Sequence, residues 1–123
     1  MKNAVKIIRY AVRLLALLLV ALGALFWSGR SLELLPVHMR LGEVLIALLW
    51  ILAGMGLRAG VKAGLAIGAI LYGLFAFVFA MNMAALLPGG AHEIIRVVHL
   101  LIGLGAVGLA EGLGAKIQRG TEG

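Results

Sequence analysis

The chain contains no cysteine, and of its 123 residues only 13% are charged. Without cysteine there are no disulfides, no thiolate zinc sites, no cysteine-ligated iron–sulfur clusters and no cysteine nucleophile. Aspartate is missing altogether, serine occurs only at 28 and 31, and threonine only at 121. A Ser–His–Asp triad is therefore impossible, and no phosphate-binding or dinucleotide-binding glycine motif occupies a strand-to-helix setting. The scarcity of charge is a statement about solvent, because soluble domains carry about 25% charged residues. Here 63% of residues are apolar and mean hydropathy is +1.13. Such a composition suits a lipid bilayer. Any catalysis would have to come from a bound redox cofactor.

Four apolar segments approach the roughly 20 residues that span a bilayer: about 8–28, 39–57, 63–87 and 93–115. The breaks at 29–37, 58–62 and 88–91 carry the glycine, proline or charge that turns require. Four spans consume nearly the whole chain, which predicts one all-α domain over 1–123, an integral membrane four-helix antiparallel up-and-down bundle with helices two and four in contact. The first segment, with its basic start and small residues Ala21 and Gly23, also has the outline of a secretory signal. Its removal would leave three helices, so it is expected to be a span.

The net charge of +6 does not point to nucleic acid, since the basic residues form no continuous patch. Lys2, Lys6, Arg9, Arg13, Arg58, Lys62, Lys116 and Arg119 fall on one side of the expected topology, with Arg30, Arg40 and Arg96 on the other. That asymmetry places both termini in the cytoplasm, as for a bacterial-type inner membrane protein.

Polar residues inside spans are costly and usually face the bundle. His38, Arg40 and Glu43 fall in the outer half of the second span; His92, Glu93, Arg96 and His99 fall in the outer half of the fourth. On a helix, His92, Arg96, His99, Gly103, Ala106 and Ala110 share one face, whereas Gly105, Gly108 and Gly112 line another. Most glycines need no reason beyond close packing between membrane helices. A short echo stands out: Val-His-x-x-x-Gly at 37–42 recurs at 98–103. Each histidine has a glycine one turn on, Gly42 and Gly103, that would leave room for a flat ligand. Imidazole is a strong haem-iron ligand. His92, one heptad before His99, offers an alternative partner for His38. The plain alternative is that His38 and His92 cap helices or meet headgroups, and that His99 is satisfied by Glu43 or a carbonyl.

In architecture and in these two His-x-x-x-Gly stretches, the chain resembles bis-histidine b-type membrane cytochromes, including succinate dehydrogenase anchor subunits and the cytochrome b561 group. The resemblance implies haem b between helices two and four, ligated by His38 and His99, with Arg40 or Arg96 near the propionates. It also implies electron transfer, with a quinone or redox protein as partner.

Two further classes of function remain open. Glu43 and Glu111 are carboxylates in apolar helices, suited to a small proton-coupled transporter or channel that would need a homodimer; equally, they can pair with Arg40, Arg58 or Lys116. The remaining class is a structural or assembly subunit of a membrane complex. In the third span Phe75, Phe79 and Asn82 share a face, read as aromatic packing with Asn82 bonding between helices. Trp27 is expected at the outer interface and Trp50 deeper, in packing or at a cofactor edge.

Overall fold

The computed structural model describes residues 2–83 and 92–122, with side-chain surroundings given for 3–83 and 93–120. These residues form four helices: α1 (Lys2–Trp27), α2 (Leu35–Arg58), α3 (Ala63–Asn82) and α4 (His92–Glu122), with a 3-10 turn at Leu32–Leu34 before α2. All four have the length and hydropathy to cross a membrane. No strand occurs among the described residues.

The ends differ from the apolar segments for local reasons. α1 begins at Lys2 and α4 continues to Glu122, because Lys, Arg, Gln, Glu and Ala are good helix formers even where the apolar stretch has ended. α2 starts at Leu35, inside the expected break, with Pro36 in the first turn. There its missing N–H is no loss and its fixed φ suits the helix. The preceding chain reverses through Gly29 (φ 75°) and Ser31 (φ 55°), the latter a left-handed position unusual for a residue with a Cβ. Gly60 (φ 87°) closes the α2–α3 turn. The third span was expected to reach 87, but α3 ends at Asn82 with Met83 as its C-cap; residues 84–87 and the expected break at 88–91 lie outside the described residues.

Side-chain pairs fix the helix directions. Arg9 and Arg13 of α1 meet Glu111 of α4, while Tyr72 of α3 donates to the Ile102 carbonyl of α4 at 2.6 Å and Phe79 lies beside His99. Residue numbers thus rise on one helix as they fall on the other. α2 and α4 run parallel, joined by His38 with His99 near one end and by Gly56 with Leu113 toward the other. The result is an up-and-down bundle in which each helix packs on its chain neighbours, α1 packs on α4, and α2 and α4 form the close diagonal. The start of α1 and the end of α4 are at the same end.

The buried cluster comprises Val5, Val12 and Leu15 of α1, Leu45, Leu49, Leu52 and Ala53 of α2, Ala66 and Ala69 of α3, and Ala106, Ala110, Leu113 and Ile117 of α4. It runs from the middle of the bundle to the end bearing the termini. Outside it, Leu14, Leu17, Ile51, Leu71, Leu74, Leu101 and Leu104 are all exposed. An apolar surface on every helix far exceeds the few hundred Å² that a water-soluble monomer shows; it is the surface that acyl chains would cover.

Two glycines let α3 approach its neighbours. A Cβ on Gly73 would run into the Trp50 indole, and one on Gly105 would run into the Tyr72 hydroxyl. The Trp50 Nε1–H donates to the Ile70 carbonyl at 3.1 Å, so both aromatic rings are anchored by hydrogen bonds as well as by packing. Gly73→Ala and Gly105→Ala are each expected to destabilise the bundle by about 1–3 kcal/mol, read as a lower midpoint of thermal unfolding in detergent. Gly54→Ala, where a Cβ meets nothing within 4 Å, is the control that should leave the midpoint in place.

Candidate functional site

At the end opposite the termini, α1, α2, α3 and α4 bring four rings together. His38 lies in the first turn of α2 and His99 two turns into α4. Their ring centres are 6.2 Å apart with planes at 55°. On the α1 side, Phe26 meets His38 edge-on with ring centres 5.3 Å apart, and the His38 Cε1 atom lies 3.9 Å from where a Cβ on Gly23 would be. On the α3 side, Phe79 lies nearly parallel to His99, at 6.3 Å and 10°, and Phe75 extends the row at 6.2 Å from Phe79. The histidines are thus flanked by apolar rings on both sides.

Hydrogen bonding within this layer is incomplete. The His38 Nδ1 atom is buried and has no hydrogen-bond partner. Buried polar atoms almost always have one, so an orphan indicates a missing water, ion or ligand, or a standing cost. Among the described residues, fewer buried side chains fill this layer than the other end. Beyond Leu45 toward the histidine end, Ile95 is the one large apolar side chain that is buried among the described residues. Gly42 and Gly103, one turn on from the histidines, have open space where a Cβ would stand.

The charged residues expected beside the histidines instead satisfy one another along their own helices. Arg40 pairs with Glu43 at 3.1 Å and Arg96 with Glu93 at 3.1 Å, both i,i+3 pairs. The Arg40 side chain is 82% exposed, since two residues along a helix turn it about 200° away from His38. Arg96 is half-buried. Neither guanidinium bonds to His38 or His99. The suggestion that Glu43 satisfies His99 is not followed, because its hydrogen bond is with Arg40. His92 opens α4, but its side chain lies outside the described residues, so the structure brings together His38 and His99 and is silent on a His38–His92 pair.

Glu111 lies near the other end and takes partners that the sequence reading missed. It accepts from Arg9 and Arg13, each at 3.0 Å, rather than from Arg58 or Lys116. The clue was present: Arg9 and Arg13 stand one turn apart on a single face of α1, inside an otherwise apolar stretch. Asn82 also departs from expectation. Its amide donates to the Val78 carbonyl of its own helix at 2.8 Å, not across helices. Trp50 is packing rather than a ring beside the histidines, being held against α3 at Ile70 and Gly73.

No group of three or more His, Cys, Asp or Glu residues suited to a metal ion occurs among the described residues. A haem requires fewer protein ligands than that, since the porphyrin supplies four nitrogens. Compared with known proteins, the chain matches no family model, no curated protein and no solved structure.

Proposed function

We propose that this chain is a multi-pass membrane electron carrier that binds a b-type haem between α2 and α4 through His38 and His99. The observation that carries the reading is the 6.2 Å separation of the two imidazole centres. Two imidazoles brought this close from different helices are a donor set that would suit a haem iron. The orphaned His38 Nδ1 and the open positions at Gly42 and Gly103 support the same reading.

A haem held by His38 and His99 would supply one-electron exchange, and with both imidazoles engaged it would favour transfer over substrate binding. The residues of the chain would do the rest. His38 and His99 would supply the nitrogens that hold the haem, from two different helices. Phe26, Phe79 and Phe75 would keep water away from the rings, and low polarity tunes potential in haem sites. Arg96 and Arg40 would remain available to acidic groups at the surface if Glu93 and Glu43 release them. The excess of Lys and Arg at the end bearing the termini supports a cytoplasmic position for that end in a bacterial-type inner membrane, which would put the histidine layer toward the opposite face. A quinone or a redox protein on that side would be the partner.

The test is an absorption spectrum of the full chain, purified in mild detergent after haem-supplemented expression. The expected result is a Soret band that sharpens and shifts on reduction. A colourless preparation of folded, helical protein would overturn the proposal.

A further inference from the structure

A second polar layer closes the other end of the bundle, and the electron-transfer reading does not use it. Between α1 and α4 lies a cavity of about 130 Å³ lined by Lys6, Arg9, Tyr10, Arg13 and Gln118. Three of the five side chains are cations. Among the described side chains the carboxylate in reach is Glu111, which Arg9 and Arg13 already share, so these described residues together carry an excess of two positive charges. Arg9 also donates to the Gln118 side-chain oxygen, and its Nε is buried without a hydrogen-bond partner. Arg13 stands over the Tyr10 ring, 5.7 Å from its centre. Lys6 is exposed and makes no ion pair among the described residues.

Gly114 completes the layer. A Cβ there would collide with the Arg9 side chain at Cδ and Cγ, so the glycine lets Arg9 lie flat across α4 and present its guanidinium to Glu111 and Gln118. The apolar exposed residues Ile7 and Leu14 flank the layer on the outer surface of α1. The cations therefore stand where acyl chains would give way to headgroups. Basic pockets between membrane helices are suited to phosphate-bearing headgroups, with arginine and lysine supplying charge and donors together.

We infer that this groove binds a phosphate group, either the phosphodiester of an anionic phospholipid or a free phosphate ester. Lys6 and Arg13 supply the charge, the Tyr10 hydroxyl is an available donor, and Arg9, held by Glu111 and Gln118, forms the floor.

The experiment uses the full chain in lipid nanodiscs and native mass spectrometry, with phosphatidylglycerol and phosphatidylcholine as probes and inorganic phosphate as competitor. The groove predicts retention of phosphatidylglycerol over phosphatidylcholine by about tenfold. Lys6→Gln, which removes no hydrogen bond or ion pair among the described residues, should weaken this preference severalfold, and Lys6→Gln with Arg13→Gln should abolish it. Arg58→Gln with Lys62→Gln, at the neighbouring turn, should leave it intact. Displacement of the lipid by inorganic phosphate, or phosphate binding in phosphatidylcholine discs with the same dependence on Lys6, identifies a soluble phosphate as the source and upholds the site. Equal retention of both lipids without phosphate binding would overturn the inference, as would a preference unchanged in the double variant or lost equally in the Arg58 and Lys62 control.

Discussion

Purified His99→Ala protein is expected to lose the Soret absorption of the unmodified chain, and His38→Ala to do the same, while Glu43→Gln and Arg40→Gln keep it. Each helix contributes one imidazole to the pair, so removing either leaves a single nitrogen donor facing an apolar wall. Disturbing only the groups around a metal ligand typically costs ten- to a hundredfold in affinity; loss of the ligand itself should lower haem retention by at least about that factor. Arg40 and Glu43 bond to each other on the outside of α2, and an exposed i,i+3 pair contributes only about 0.3–0.5 kcal/mol. Their replacement should change neither colour nor fold. His99→Ala also removes a ring beside Phe79, so helical circular dichroism must accompany the spectra to separate lost ligation from lost structure.

The second large effect is expected at the opposite end. Glu111→Gln should lower the unfolding midpoint in detergent markedly more than Glu43→Gln. Glu111 is the carboxylate on which two guanidinium groups of α1 converge, and the Arg9 side chain is only 21% exposed. Removing the shared carboxylate leaves a largely covered cation with a neutral amide for company. Stripping one partner from a fully buried pair costs about 3–5 kcal/mol; with the partial exposure here, on the order of 1–2 kcal/mol is the expected loss. Glu111→Asp, which keeps the charge but shortens its reach, should fall between the wild type and the glutamine variant. Equal midpoints for the two glutamine variants would show that the Arg9, Arg13 and Glu111 layer contributes no more than a surface pair.

The helix count and their antiparallel order were legible because apolar stretches of about 20 residues separated by glycine, proline and charge have few other solutions. So was the meeting of α2 and α4. The echo at 37–42 and 98–103 placed His38 and His99 on helices running the same way, and the rings do meet. Helix ends were less legible. Hydropathy marks where lipid contact begins, whereas the backbone continues as helix through charged residues that are good helix formers, as at Lys2 in α1 and Glu122 in α4.

Pairing of charges was the least legible feature. Arg40 with Glu43 follows from i,i+3 spacing on one helix. Glu111 finds cations 98 and 102 residues away, a contact that only the packing of α1 on α4 determines. The anchoring of Tyr72 on the Ile102 carbonyl was equally hidden, although Gly105, one turn along α4 from Leu101, left the space that the Tyr72 ring occupies. Asn82 bonding within its own helix follows the general tendency of short polar side chains to find nearby carbonyls. The sequence offers no way to weigh that against a cross-helix bond.

Electron paramagnetic resonance of the oxidised, haem-loaded full chain reads the axial ligands themselves. If His38 and His99 both bind the iron, the spectrum is that of low-spin six-coordinate haem with two imidazoles, and it is lost in His38→Ala and in His99→Ala. A high-spin five-coordinate signal in the unmodified chain, or a low-spin signal that survives both substitutions, would mean that the facing histidines do not hold a haem.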